Sequence, residues 1–244
     1  MADTLTVNEI YLSLQGESTF AGLACIFVRL TACNLRCSYC DTAYAFAEGD
    51  KHSLTEIIAE VHRLAAQFQT RVREHRLPLV ELTGGEPLLQ PNALPLMRAL
   101  CDEGFTVLIE TSGAHDISKV DLRVRRIMDL KCPSSGEVAR NRPENIGHLK
   151  ATDEVKFVIG TQEDYDWAKK QIAEHGLERI CPVLFSWVQP LTPEQQHHGL
   201  KKVPAGLTPM TRRELAEKII EDALPVRFQL QMHKFIWPVE QRGV

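Results

Sequence analysis

The sequence lacks the features that mark membrane, exported and nucleic-acid-binding proteins. No apolar run approaches the ~20 residues that span a bilayer, and the first residues have neither the basic flank nor the apolar stretch of a signal peptide. The formal net charge of -4 supplies no general positive field to attract nucleic acid. We therefore expect a cytoplasmic protein that binds neither a membrane nor nucleic acid.

A disulfide framework is also unexpected, because seven cysteines are an odd number and three of them are clustered. Cys33, Cys37 and Cys40 lie in the run T-A-C-N-L-R-C-S-Y-C-D-T. Three thiolates leave one coordination position open, which is typical of an iron–sulfur cubane with one free iron. A zinc knuckle that borrows a fourth ligand, in a non-catalytic interaction module, is the alternative. The scattered cysteines are interpreted as small buried apolar residues: Cys25, Cys101, Cys132 and Cys181.

Strand-like and helical patterns alternate along the 244 residues, of which 44% are hydrophobic and 25% charged. This alternation with short connections predicts an α/β fold with a mostly parallel sheet, open or curled into a barrel. Strands are predicted at residues 24–30, 79–83, 106–110, 126–130, 154–159, 182–187 and 226–231. Helices are predicted at residues 53–73, 92–103, 163–175 and 211–223.

Residues 191–210 depart from this pattern, because they contain three prolines and two glycines and show no clear period. An irregular stretch of this length is a functional lid or an insertion within a single domain of residues 1–244. The pair His197–His198 lies in it and is interpreted as solvated rather than as a metal site.

Polar residues follow several of the predicted strands. T-G-G-E-P begins at Thr83, E-T-S-G begins at Glu110, Lys131 ends the run D-L-K, and Gln189 follows V-L-F-S-W. The carboxyl ends of parallel strands meet at one edge of a sheet, where ligand sites gather. We therefore expect these groups to converge on one site.

Two further features precede the cysteine run. Gln15, Gly16 and Glu17 follow an alternating apolar stretch and form either a plain turn or a binding segment, since Gln15 and Glu17 carry donors and acceptors suited to the edge of a heterocycle. Arg29 interrupts the apolar strand I-F-V-R-L, and a buried guanidinium needs an anion from the protein or from a substrate.

Together these motifs resemble the radical S-adenosylmethionine (SAM) superfamily and, within it, the 7-carboxy-7-deazaguanine synthase family. E-I-Y-L-S-L-Q-G-E, the cysteine run, T-G-G-E-P-L-L-Q, I-E-T-S-G and Q-M-H-K-F-I-W carry the resemblance, which runs from about Asn8 to the C-terminus. It implies an incomplete (β/α) TIM-like barrel and a 4Fe–4S cluster on Cys33, Cys37 and Cys40. The cluster would bind SAM and cleave it to a 5′-deoxyadenosyl radical.

The implied reaction is a lyase reaction that converts 6-carboxy-5,6,7,8-tetrahydropterin to 7-carboxy-7-deazaguanine with loss of ammonia, in 7-deazapurine and queuosine biosynthesis. A homodimer and a flavodoxin or ferredoxin electron donor are also implied. The alternative within the superfamily is an activating enzyme that installs a glycyl radical on a partner, against which the Q-G-E run and Arg29 argue.

The resemblance also implies roles for individual residues. The pterin substrate would contact Leu14, Gln15, Gly16, Glu17, Arg29, Thr83 and Pro238. SAM would contact Tyr39, Asp41, Gly84, Gly85, Glu86, Ser112, Asp129, Leu130, Lys131 and Gln189. The hydroxyl of Thr42 would help to bind Mg²⁺, which completes its octahedron with water and substrate oxygens. The chain departs from many relatives in having D-L-K for S-P-K and in continuing beyond Pro238 with V-E-Q-R-G-V.

Overall fold

A computed structural model of the chain describes residues 3–68, 71–72, 74–238 and 241–244. Its strands are β1 Thr4–Leu14, β2 Ala24–Leu30, β3 Asp50–Ser53, β4 Arg71–Val72, β5 His75–Arg76, β6 Leu79–Gly84, β7 Val107–Thr111, β8 Arg125–Asp129, β9 Glu154–Ile159, β10 Val183–Trp187 and β11 Arg227–Gln229. Its α-helices are α1 Leu54–Ala65, α2 Ala93–Asp102, α3 Gln162–His175, α4 Arg212–Glu221 and α5 His233–Ile236.

A mixed, mostly parallel sheet organises the described residues. Its nine strands follow the order β11-β10-β9-β8-β7-β6-β2-β1-β3. Strand β2 and strands β6 to β11 pair in parallel, whereas β1 pairs antiparallel with β2 and with β3. The sheet is open, with β11 and β3 at its edges. The expected α/β fold with an incomplete barrel is thereby confirmed.

Side chains of the parallel strands alternate between two faces, as the period of a β-strand requires. On β2, Ile26, Val28 and Leu30 belong to the main apolar core, which includes buried residues of α1, α2 and α3. On the opposite face Cys25 and Phe27 join a smaller apolar cluster. Polar residues continue this second face toward the carboxyl ends of the strands, because they occupy the same alternate positions: Arg29, Glu81, Thr83, Glu110, Asp129 and Lys156.

Strand register brings several of these polar residues side by side. Arg29 is paired with Thr83 across β2 and β6, and Asp129 is paired with Lys156 across β8 and β9. Since the strands are parallel, their carboxyl ends lie at one edge of the sheet. The fold thus forms the polar edge that the motifs predict.

Differences from the predicted elements are local. The first helix was expected to extend to residue 73, but it ends at Ala65, and part of the remaining stretch lies outside the described residues. Strands β1 and β3 were not among the predicted elements, although β1 contains the alternating run before Gln15. Residues 191–210 are irregular, as expected, with a short 3-10 turn at Pro193–Gln195. None of the described helices is long and apolar enough to cross a bilayer.

Candidate active site

The cysteine loop follows β2 and rests directly on the end of β6. A Cβ added to Gly85 would lie 2.0 Å from the carbonyl oxygen of Ala32 and 2.9 Å from Cβ of Cys33. Gly84 has a φ of +135°, and a Cβ there would lie 2.1 Å from the carbonyl oxygen of Leu30. The end of β2 at Gly84 and the cysteine loop at Gly85 therefore leave no room for a side chain, and both glycines also line the cavity described below.

The three thiols of this loop have the chemistry of iron–sulfur ligands. Burial raises the pKa of Cys37 to about 11 and that of Cys40 to about 12, so metal binding has to displace their protons. Cysteine thiolates bind the separate irons of an iron–sulfur cluster. Cys33, Cys37 and Cys40 line one cavity and fit such a cluster, with one iron left for another ligand.

A cavity of about 1380 Å³ joins the cysteine loop to the polar edge of the sheet. Most residues expected to bind SAM or substrate line it together with the three cysteines. They are Leu14, Gln15, Gly16, Glu17, Arg29, Tyr39, Asp41, Thr42, Thr83, Gly84, Gly85, Ser112, Asp129, Lys131, Gln189 and Pro238.

Two of the expected SAM contacts, Glu86 and Leu130, are not among the lining residues. Glu86 is fully buried, and its carboxylate accepts hydrogen bonds from the amides of Leu88 (3.0 Å) and Ser112 (2.8 Å) and from both neighbouring hydroxyls, of Thr111 and Ser112. The carboxylate therefore joins the ends of β6 and β7, and the structure does not place it to receive an ammonium group. The buried side chain of Leu130 belongs to the main core.

Asp129 and Lys131 form the polar wall near the cysteines. Lys131 Nζ lies 2.8 Å from Oδ2 of Asp129. Oδ1 of Asp129 is buried and has no hydrogen-bond partner among the described residues. Because a buried carboxylate oxygen normally accepts a hydrogen bond, a ligand with ammonium or hydroxyl donors would complete this site.

Arg29 already has an internal anion partner. Its Nε donates to Glu9 (2.7 Å) and its terminal nitrogen donates to the hydroxyl of Tyr11 (2.6 Å). Burial by itself lowers the pKa of Arg29, but the neighbouring Tyr11, Tyr44 and Glu9 raise it overall. The guanidinium is therefore charged and fixed, and it lines the cavity.

A cluster of carboxyl groups around Lys156 forms a second polar wall. Lys156 Nζ lies 3.1 Å from Glu17 and also contacts Glu110. Glu81 accepts a hydrogen bond from the side-chain amide of Gln15. Burial and then the charge of Glu110 raise the pKa of Glu81 well above its usual range, which favours the protonated form of this carboxyl. Sequence reasoning missed Glu81 and Lys156, although each is a polar residue at an alternate position of a buried strand.

The C-terminal H-K motif closes one side of the site. Lys234 Nζ lies 2.6 Å from Oδ2 of Asp41, and Thr42 donates to the other oxygen of Asp41 (2.9 Å). Burial alone would raise the pKa of Asp41, but Lys234 and then His233 lower it overall. The amide of Met232 donates to the carbonyl oxygen of Gly16 (3.1 Å). The sequence by itself assigns no role to this motif. In the folded protein its Lys234 binds Asp41 and holds that carboxylate in place.

Comparisons with known proteins agree with this arrangement. The radical SAM superfamily profile matches residues 28–133. The chain is 45% identical over 242 residues to a 7-carboxy-7-deazaguanine synthase of Koribacter versatilis, covering 98% of this chain and 100% of that protein. It is 42% identical over 243 residues to the synthase of Chlorobaculum tepidum, covering 98% and 97%. The crystal structure of QueE from Escherichia coli has a similar fold, with a TM-score of 0.68, 21% identity and coverage of 94% of this chain and 95% of that one.

Proposed function

Since the chain belongs to the 7-carboxy-7-deazaguanine synthase family of radical SAM enzymes, we propose that it converts 6-carboxy-5,6,7,8-tetrahydropterin to 7-carboxy-7-deazaguanine. The substrate differs from the product by one molecule of ammonia, so the ring contraction requires no net oxidant or reductant. The observation that carries the proposal is the single cavity, because it joins the cysteine loop to the carboxyl groups around Lys156 and to Arg29.

Cys33, Cys37 and Cys40 would hold the 4Fe–4S cluster, and the wall of Asp129 and Lys131 would hold SAM. When bound, the cluster supplies the electron that cleaves SAM to a radical able to remove hydrogen from the substrate. The free Oδ1 of Asp129 would accept a hydrogen bond from SAM, and Lys131 would meet its carboxylate. Tyr39 and Ser112 line the same region and restrict water.

The other half of the cavity suits a carboxylated pterin. Glu110 and Glu17 can accept hydrogen bonds from the amino and ring N–H groups of a pyrimidinone, whereas Glu81 can donate one in its protonated form, which its raised pKa favours. Arg29 offers its charge to the substrate carboxylate, with Glu9 and Tyr11 fixing its plane. Opposite ends of the substrate would thus meet opposite charges, which fixes its orientation.

Thr42 is the residue that we assign to Mg²⁺. Its hydroxyl donates to Asp41, which leaves its oxygen lone pairs for a cation. Water and the substrate carboxylate would supply the remaining oxygens, as is usual for Mg²⁺.

The test is anaerobic reconstitution with iron and sulfide, followed by mass spectrometry of the products formed from the carboxytetrahydropterin. We expect about four irons per chain and a product that requires SAM and a one-electron reductant. The matched Cys37→Ala variant should form no product. A wild-type protein with a full cluster and no product would overturn the substrate assignment, whereas zinc without iron or sulfide would overturn the cofactor assignment.

We also propose an oligomeric state, an electron donor and a cellular location for the enzyme. Phe228, Phe235 and Ile236 are large apolar residues, 37%, 51% and 48% exposed, at and beyond the edge strand β11. Exposed apolar residues of this kind support a homodimer that covers them, and a Phe235→Glu variant should then be monomeric by light scattering. A flavodoxin or ferredoxin would deliver the electrons, and the enzyme would act in the cytoplasm.

A further inference from the structure

Residues 191–210, hereafter the cover segment, are attached to the cysteine loop through Lys201. The backbone amide of Lys201 donates to the carbonyl oxygen of Arg36 (2.9 Å). Arg36 stands between Cys33 and Cys37, and its side chain donates to the carbonyl oxygens of Cys33 (2.8 Å) and Leu35 (2.6 Å). The attachment therefore reaches the backbone that carries two of the three thiols.

Glu137 completes this attachment from a third part of the chain. It is buried, 5% exposed, and one carboxylate oxygen accepts the backbone amide of Arg36 (2.7 Å). The other oxygen lies 2.9 Å from Nζ of Lys201, which also donates to the carbonyl oxygen of Gly136 (2.7 Å). Because a buried carboxylate needs a partner, loss of the Lys201 ammonium would weaken the contact of Glu137 with the loop.

Aromatic contacts extend the same cover. The ring of His197 lies edge-on to Phe46, with centroids 5.8 Å apart, and the guanidinium of Arg36 lies 4.1 Å from the Phe46 centroid. His197 and His198 stack with centroids 4.3 Å apart. The stretch from Thr192 to Gly199 also contributes to the lining of the cavity that contains the cysteines. Both histidines are exposed, as the sequence predicts, and His197 packs one edge of its ring against Phe46 beside the cysteine loop.

We propose that the cover segment shields the three cysteines from dissolved reagents. Lys201 holds the segment in place because its ammonium group and the backbone amide of Arg36 bind the same carboxylate, that of Glu137. Lys201 is a positioning residue in this proposal, since it acts through the loop backbone. The expected protection of a bound cluster rests on the function proposed above, whereas the expected protection of the free thiols does not. Without the Lys201 ammonium, the cover segment opens more often and the thiols are reached more often.

The direct test is alkylation of the metal-free protein by iodoacetamide, with each cysteine followed by mass spectrometry. In Lys201→Met we expect Cys33, Cys37 and Cys40 to react about two- to five-fold faster than in the unaltered protein, the range for loss of an ion pair whose lysine is 48% exposed. Cys101, a half-buried cysteine in α2, serves as the internal reference and should not change. Lys202→Met removes a neighbouring exposed lysine and should leave all rates unchanged, while Lys201→Arg should restore most of the protection.

A second measurement uses the reconstituted protein and follows iron release to a chelator under argon. Lys201→Met should release iron faster than Lys202→Met. Equal alkylation rates in the two methionine variants would overturn the proposal, as would faster reaction of Cys101 in Lys201→Met, which would indicate general unfolding. If the unaltered protein assembles no cluster, the proposed function is wrong. The alkylation rates of the metal-free variants still show whether the cover segment shields the cysteines.

Discussion

Individual residues of the cavity have protonation states that their neighbours impose. The ammonium group of Lys156 contacts Glu17 and Glu110 and lies 3.9 Å from Asp129, and its charge also acts on Glu81. One cation cannot neutralise several carboxylates away from water, so the pKa of the most buried carboxyl group rises. That group is Glu81, which is 1% exposed.

Replacement of Glu81 by Gln should therefore change how stability depends on pH. The raised pKa of Glu81 means that the unfolded chain loses this proton above about pH 4, whereas the folded chain keeps it to higher pH. The wild-type protein should then lose stability relative to Glu81→Gln as pH rises above about 4. Urea unfolding at several pH values measures the difference. Glu60, whose pKa is lowered by its hydrogen bond to Arg63, is the comparison: relative to Glu60→Gln the wild-type protein should gain stability only as pH rises through the acid range up to about 4, with no trend above it.

Gly85 tests the contact between β6 and the cysteine loop. In Gly85→Ala the new methyl group would meet the carbonyl of Ala32 and displace the loop, at a cost of about 1–3 kcal/mol. We expect less iron per chain after reconstitution and a lower melting temperature. Gly147→Ala is the matched control, because an added Cβ there meets nothing within 4 Å. Normal iron binding by Gly85→Ala would show that the loop tolerates the shift.

At the scale of elements, helix α3 helps to fix the loops of the site through its first turn. Thr161 and Asp164 form a capping box, and Asp164 also accepts the amide of Ser134 (2.7 Å). The carbonyl oxygen of Ser134 in turn accepts the hydroxyl of Ser38 in the cysteine loop (2.7 Å). The cap of a helix is thereby joined to the cysteine loop by two hydrogen bonds.

Asp164→Ala should consequently lower the free energy of unfolding far more than the loss of an ordinary capping residue does. Asp164 is fully buried and accepts the amides of Gly160, Thr161 and Ser134. Loss of these bonds should cost about 3 kcal/mol or more, since each unpaired buried amide costs about 1–3 kcal/mol. Glu214 in the exposed capping box of α4 is the control, and Glu214→Ala should cost about 1 kcal/mol or less. Urea unfolding compares them, and equal losses would contradict the linking role.

At the scale of the whole molecule, both ends of the sequence meet at the cavity. Tyr11 in β1 and Tyr44 after the cysteine loop flank Arg29, and the guanidinium of Arg242 lies 4.1 Å from the Tyr44 centroid. Arg242 also pairs with Glu48 (2.6 Å). Residues 241–244, which follow Pro238, are thus part of the wall of the cavity near Arg29.

Arg242→Ala should loosen this wall without unfolding the protein. The exposed pair with Glu48 contributes little to stability, whereas the contact with Tyr44 is of the kind that contributes about 0.5–1 kcal/mol. We expect KM for the pterin to rise about two- to five-fold, with kcat and the melting temperature nearly unchanged. Arg213→Ala removes another exposed, paired arginine, far along the sequence, and should leave KM unchanged. A changed kcat with an unchanged KM would contradict this role of residues 241–244.

The sequence alone determined the local elements and the chemistry of the cysteine loop. Strands β2 and β9 have the predicted bounds, and the motifs after β6, β7 and β8 lie at the expected edge, because strand periodicity and turn residues are encoded within a few positions. Only the tertiary structure decided which distant groups meet. In the folded protein Glu86 is hydrogen-bonded at the end of β7, Asp41 pairs with Lys234, and Lys156 contacts Glu17 and Glu110. Those contacts depend on strand order and register, which bring together residues that no local pattern relates.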